Sequence, residues 1–412
     1  MESVNNSAEV LSLASEAGHI LLENGAEIER VEETMERIAS HYGEDKENFF
    51  VLSNGIFTTG KSYANVEFIP IKGSRLDKVV AINQFSRDIS EGKFDLGQAR
   101  ARLEEIKAAP GKPLWEQIAG AALGSGTFCA IFGGSLVDCA AATLAGTLVF
   151  LMSYLFIAKN WSKALSNVCA GALGTAACIV FQALGFGETL GNMMIGTLIP
   201  LIPGVPFTNG LRDISNEDYI AGITRLLDAL MVFLCIAIGV CVTFAADRLI
   251  TGSMIEMHGT VTDPLTALFP IQMAAAFLGT VAFSVLFGVP REHYLSCGLV
   301  GMLGWMAYLL ILRHSPLGVV GATLVASTLI ALMSSAAARL RKCPSTVFLI
   351  CGAFPLIPGA GVFWTSYYIV SEQMRSALGS GFLAFEVTIA IVFGIIISSS
   401  LKRRKKCHQS GN

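Results

Sequence analysis

The first hundred residues alternate apolar and polar positions at helical spacing. Residues 8–41 read as helix with one interruption, because Asn24-Gly25 is a helix stop. Beyond it Ile28, Val31, Met35 and Ile38 recur at 3-4-3 spacing and form one apolar stripe on a charged helix. That stripe needs a surface to cover. The β-branched and aromatic runs 49–59 and 65–71, separated by Gly60-Lys61-Ser62, predict a hairpin that supplies it. Two more helices are expected near 76–89 and 95–107, the second opened by a capping box of Asp95 and Gln98 and striped by Leu96, Ala99, Leu103 and Ile106. The segment from Ala108-Ala109 through Pro110-Gly111-Lys112-Pro113 ends it.

Past residue 113 the pattern changes. Charge-free stretches run 117–137, 139–158, 164–187, 189–211, 229–246, 264–290, 293–312, 314–338 and 343–371, and 376–401 is interrupted only by Glu386. A hydrocarbon core of about 30 Å needs about 20 apolar residues per helix, so ten spans are expected.

Composition agrees: 53% of residues are hydrophobic and 15% charged, and the mean hydropathy is +0.58. The charges are unevenly spread, since 13 of the 29 basic and 19 of the 32 acidic residues fall in 1–113. A charged head thus precedes an apolar body. Disorder, a secreted disulfide scaffold and a collagen-like fibre are excluded. With a net charge of −3, and an acidic head, nucleic-acid binding is disfavoured. The ten cysteines all follow residue 128 without C-x-x-C or His spacing, so they read as small apolar fillers, with no metal site expected. The opening MESVNNSAEV carries no basic stretch followed by an apolar core, which places the head in the cytoplasm as an expectation.

With the N-terminus inside, thirteen basic residues near span ends lie inside, including the Lys402-Arg403-Arg404-Lys405-Lys406 tail, against Arg248, Arg313 and Arg375 outside. This bias fits both termini being cytoplasmic. Pro200-Leu201-Ile202-Pro203-Gly204 recurs as Pro355-Leu356-Ile357-Pro358-Gly359, each time in the fourth span of five. An odd number of spans per half makes the halves inverted repeats, as in many secondary transporters. The expected fold is therefore a polytopic α-helical membrane protein of ten helices in two inverted five-helix repeats with a small N-terminal α+β domain. Its divisions are 1–113 (head), 114–250 and 251–401 (repeats) and 402–412 (basic tail).

Two prolines three residues apart remove two backbone donors, so each fourth helix must break, and broken backbone in lipid is tolerated where it lines a cavity. A wet, midplane cavity bordered by Pro200, Pro203, Gly204, Pro355, Pro358 and Gly359 is expected. After the first break, Thr208, Asn209 and Asp213 offer hydroxyl, amide and carboxylate contacts to an amino acid, and Arg212 or Arg225 a partner for its carboxylate. Asp228, one turn from Arg225, and Glu386 and Asp138 are the carboxylates placed to couple protons or pair charges. Glu27 and Glu29 beside Arg30 read instead as a solvated helix face, not an acid–base pair.

GAEIERVEETMERI in the head, FGGSLVD, PLIPGVPFTNGLRDI followed by GITRLLDA, and PSTVFLICGAFPLIPGAGVF together resemble the threonine/serine exporter family of bacterial inner-membrane carriers, in its fused two-half form. The resemblance implies efflux of threonine or serine driven by the proton gradient, and succinate export in some split relatives. It carries over no catalytic, cofactor or metal residue. The expected function is a proton-coupled exporter of small polar amino acids working by alternating access, with the bilayer, protons and substrate as partners and a homo-oligomer as an option. A dicarboxylate exporter is the alternative, and a membrane-tethered hydrolase using Ser53, Thr58 or Thr59 ranks below it, without a G-x-S-x-G signature.

Overall fold

The computed structural model describes residues 2–44, 48–60, 63–70, 73–252, 255, 257 and 262–409, with side chains between 7 and 401. In the head, α1 (Glu2–Glu23) and α2 (Ile28–His41) are separated by Gly25, whose φ of +83° lets Ala26 N–H bond back to Leu21 O at 2.9 Å and close the helix. The α2 stripe is buried, with Val31, Met35 and Ile38 fully covered. It packs on a three-stranded antiparallel sheet, β1 (Phe49–Leu52), β2 (Gly55–Gly60) and β3 (Tyr63–Phe68), in the order β1-β2-β3. One strand more than expected appears, because Ser53-Asn54 before Gly55 turns the chain and pairs Leu52 with Gly55. Lys61, Ser62 and Ile71 of the expected hairpin lie outside the described residues. Helices α3 (Leu76–Ser90) and α4 (Leu96–Ala108) follow, and Asp95 and Gln98 form the capping box the sequence predicts.

The body continues with α5 (Leu114–Ile131), α6 (Leu136–Ala158), α7 (Lys163–Ala183), α8 (Leu190–Leu198), α9 (Gly204–Ser215) and α10 (Tyr219–Thr251). A second series follows: α11 (Phe269–Leu286), α12 (Tyr294–His314), α13 (Gly318–Arg341), α14 (Ser345–Ala353), α15 (Gly359–Val370) and α16 (Met374–Gln409). The pairings repeat. In the first series α5 packs on α6, α6 on α7 and α7 on α10, and in the second α11 packs on α12, α12 on α13 and α13 on α16. Between the series, α5 meets α11, and α10 meets α15 as α16 meets α9. Small residues permit the close crossings, as expected where lipid supplies no hydrophobic drive. A Cβ on Gly171 would sit 2.6 Å from the Ile236 carbonyl oxygen of α10, and one on Gly394 of α16 would sit 2.9 Å from the Thr328 amide of α13.

Among the described residues eight helical segments are long and apolar enough to cross a membrane, nine when the bent pair α8–α9 counts as one. This is a polytopic helical membrane protein. The stretch expected as the first of ten spans is α5, which equals α11 in length at 18 residues but is less apolar, because it carries Glu116, Gln117, Gly120, Ser125, Gly126 and Thr127.

Candidate functional site

Both PLIPG segments interrupt their helices with the same local pattern, although among the described residues only the first bends its span sharply, and Ser345–Val370 runs on as one span. A nine-residue helix (α8, α14) runs into a three-residue 3-10 turn (Ile199–Leu201, Phe354–Leu356), and a twelve-residue helix (α9, α15) restarts at the glycine. Ile202 and Ile357 are extended, with ψ of 127° and 131°, because neither Pro203 nor Pro358 can donate to a preceding carbonyl. The first break bends its helices by 71°. Pro355 is buried, while Pro200, Pro203, Pro358 and Gly359 are half-buried.

The breaks meet. A Cβ on Gly359 would overlap Ile202, and one on Gly204 would come within 2.5 Å of the Phe354 ring, which stacks on Phe283 at 3.8 Å. The hollow between them is about 30 Å³, lined by Ile195, Ile202, Phe233, Ile236, Gly359 and Phe363. That is room for one water among apolar walls, drier and narrower than the chamber expected from sequence. Ile202 and the Phe128, Phe283, Phe287 and Phe354 rings fill the space instead. A larger hollow of about 610 Å³, lined by Phe132, Thr262, Gln272, Trp305 and Arg313, lies at the end of the body away from the head. Phe132, Trp305 and Tyr308 also line a space of about 150 Å³ that borders Pro355 and Pro358.

At the opposite end the polar residues gather under the head. Asn209 Nδ2 donates to Gly25 O at 2.5 Å, and Arg225 Nη2 donates to Ala26 O at 2.7 Å. Arg225 Nη1 pairs with Asp213 at 2.8 Å, with both side chains at most 2% exposed. Arg212 pairs through Nε with Glu27, which is 1% exposed and also accepts from the Thr346 hydroxyl at 3.0 Å. The glutamate that the sequence assigns to a solvated face is thus buried as deeply as Asn209, Asp213 and Arg225. Its helix starts where the head rests on the body, next to Gly25 and Ala26, so the position at the head of α2 points inward rather than out. Burial alone would push the Glu27 carboxyl up, but the Arg212 and Arg30 guanidiniums and the Thr346 hydroxyl outweigh it and hold the carboxyl below the usual range. A lowered folded value adds stability above the unfolded pKa and loses it as pH falls through the folded one. The Glu27 contribution to head docking, read as the difference in hydrogen exchange at Gly25 and Ala26 between the native chain and Glu27→Gln, is therefore expected to stay constant from about pH 8 to 5 and to fade only below about pH 4.

The other expected residues are dispersed. Thr208 is buried on α9 beside Asn209. Asp228 is exposed on α10 and does not receive Arg225, whose carboxylate partner is Asp213. Glu386 is half-buried on α16. Asp138 is fully buried and saturated: it accepts from Ser135 N–H at 3.0 Å, Glu188 N–H at 2.6 Å, and the Thr189 N–H and hydroxyl at 3.0 and 2.5 Å. It ties α6 to the 187–189 turn. Asp138→Ala is expected to cost about 1–3 kcal/mol, read as a drop in Tm, with an unchanged substrate KM.

Among the described residues no group of three or more His, Cys, Asp or Glu side chains could hold a metal ion. The Thr58 hydroxyl meets Ser15 at 3.2 Å and His19 pairs with Glu67 at 3.0 Å, so these groups make no nucleophile–base pair with each other.

Family models for threonine/serine exporters match the chain on both sides of residue 250: ThrE over residues 12–246, and ThrE_2, described as "Threonine/Serine exporter, ThrE", over residues 272–401. The chain is 22% identical over 412 residues to a "Threonine/serine exporter" of Corynebacterium glutamicum, covering 96% of this chain and 83% of that one. It is 21% identical to a "Probable threonine/serine exporter" of Mycobacterium tuberculosis, over 79% of this chain and 62% of that one. It is 23% identical to the "Probable succinate transporter subunit YjjP" of Klebsiella aerogenes, over 56% of this chain and 91% of that one. No solved structure matches.

Proposed function

The chain belongs to the threonine/serine exporter family, and on that premise we propose that it is a secondary active exporter of threonine and serine across a bacterial inner membrane. The observation that carries this reading is the matched pair of broken helices, with contacts that swap partners between the halves. Taking α5 as a span gives five spans per half, hence two inverted repeats and ten helices. Head contacts are consistent with both termini lying inside, since the head touches 209, 212, 216, 287–288 and 346, all at ends that the basic residues assign to the cytoplasm. In this state the head stoppers the cytoplasmic end and the larger hollow lies at the other, as in a carrier closed to the inside. Alternating access then needs Ile202 and Gly359 to part.

The junction favours a zwitterion over a dicarboxylate, because Arg212 and Arg225 each already face a carboxylate and leave no uncompensated pair of cations. Asp213, buried on the half-helix after the first break, is the carboxylate best placed to exchange a proton during the cycle. Counterflow of labelled threonine into serine-loaded proteoliposomes is the test. Saturable uptake with a pH gradient accelerating net efflux is expected; absence of flux for both amino acids, with succinate flux present, would replace this reading with the dicarboxylate one.

A further inference from the structure

Beneath the head, Arg212 is held from three sides. Its Nε meets the Glu27 carboxylate, and its Nη1 donates to Ser345 Oγ at 3.2 Å and Thr346 Oγ1 at 3.3 Å. Behind it lies a hollow of about 20 Å³ lined by Arg212, Ser334, Ser335, Ser345, Ser398 and Ser399. Five hydroxyls around one guanidinium, where α13, α14 and α16 converge, is an unusual content for the interior of a membrane protein. Ser335 and Ser399 spend theirs on the carbonyls one turn back, at 2.8 and 3.0 Å. Ser334 and Ser398 do not: each is 1% exposed, and their hydroxyls have no partner among the described residues. Each buried, unsatisfied hydroxyl is costly, and its retention beside a cation points to a polar ligand that completes it.

We propose that Arg212 and this serine cluster form a carboxylate-binding site. In the closed state the head's own Glu27 occupies it, and the α-carboxylate of the outgoing hydroxy amino acid takes it when the head withdraws. The present hollow holds one water-sized group, too little for threonine, so ligand and Glu27 must exclude one another. Glu27 is the member that can be displaced, because it sits at the end of the short Asn24–Glu27 connection, whereas Arg212, Ser345 and Thr346 belong to body helices. Once it leaves, the guanidinium presents its planar fork to a carboxylate, and the free Ser334 and Ser398 hydroxyls face the ligand's side chain. An apolar side chain would leave them unpaired, which gives the site a preference for serine and threonine over alanine and valine. This rests on the exporter reading for which amino acid arrives, and on geometry alone for the carboxylate chemistry.

The test uses the purified full-length protein in nanodiscs, titrated calorimetrically with threonine, alanine, acetate and succinate. Glu27→Gln, which removes the internal competitor, is expected to tighten threonine binding at least tenfold. Ser334→Ala/Ser398→Ala in that background should narrow the threonine-over-alanine preference about tenfold, and Arg212→Gln should remove threonine and acetate binding together. Glu27→Asp, whose shorter arm weakens but keeps the contact, should fall between wild type and Glu27→Gln, and stands in if the glutamine variant does not fold. Threonine affinity indifferent to both Glu27 and Arg212 substitutions, in a protein that still exports threonine, overturns the site and leaves the exporter reading intact. Acetate and succinate binding that follows Glu27 and Arg212 without any threonine binding upholds the site and removes the amino-acid reading.

Discussion

Replacing Arg225 with methionine is expected to abolish export and to lower folding stability by about 3–5 kcal/mol, the usual consequence of stranding one charge of a buried pair. Among the described residues Arg225 is the largest fully buried side chain, and its two contacts join three parts of the molecule: Asp213 on α9, α10 itself, and the Ala26 carbonyl of the head. Removing it leaves the Asp213 carboxylate uncompensated near Glu27, a second carboxylate, and leaves Ala26 O without its donor. Adding Asp213→Asn to Arg225→Met removes the stranded charge and should recover much of the stability. Transport should not return, because the link to the head is still missing. Asp228→Asn, on the exposed face of α10, serves as the control and should stay within about 0.5 kcal/mol of wild type. Thermal unfolding of purified variants and threonine counterflow would be measured side by side. Normal flux in Arg225→Met would show the pair to be incidental to the cycle.

Why the pair joins 213 to 225, rather than 225 to its helix neighbour 228, is a matter of tertiary geometry. The turn after α9 folds the chain back, with Asp218 N–H on Asp213 O at 3.0 Å, and Gly210 and Gly222 let the two helices touch: a Cβ on Gly210 would lie 3.0 Å from Gly222 O. Sequence spacing along one helix could not register that crossing. What was legible was local. The α2 stripe, the Asp95–Gln98 capping box and the paired helix breaks each follow from neighbouring residues, and each is found where the pattern puts it. The Ser53-Asn54 turn was hidden because β-forming residues flank it on both sides. Glu27 was hidden for a stronger reason: Arg30, three residues on, satisfies the expectation of a surface ion pair, while the Thr346 hydroxyl that it actually meets lies 319 residues away. The dry space between the breaks has the same origin, since Ile202 fills a gap that exists only once both halves are assembled.

Converting Pro200 and Pro203 together to alanine is expected to cut export by at least tenfold and to release the head. In the native chain Ile202 N–H reaches only Ile199 O at 3.0 Å, and Gly204 N–H reaches Ile202 O at 2.8 Å, so the α-helical ladder skips the break. Two alanines restore two donors and remove two steric blocks, shifting the local preference toward continuous helix by roughly 6 kcal/mol at about 3 kcal/mol per proline. That exceeds the roughly 3–5 kcal/mol at stake in a buried ion pair such as Asp213–Arg225, so the bend is not expected to survive intact. Undoing a 71° bend swings residues five to nine positions beyond it by on the order of 10 Å at 1.5 Å of rise per residue. Those residues are Asn209, Arg212 and Asp213, whose partners are Gly25, Glu27 and Arg225, so one local change should break two contacts that seat the head and the Asp213–Arg225 pair beside them. Hydrogen exchange at Gly25 and Ala26 should accelerate in step with the loss of flux. A double variant that keeps both wild-type flux and wild-type protection at the junction would mean that packing, not the prolines, sets the bend, and that the break is not the element that moves.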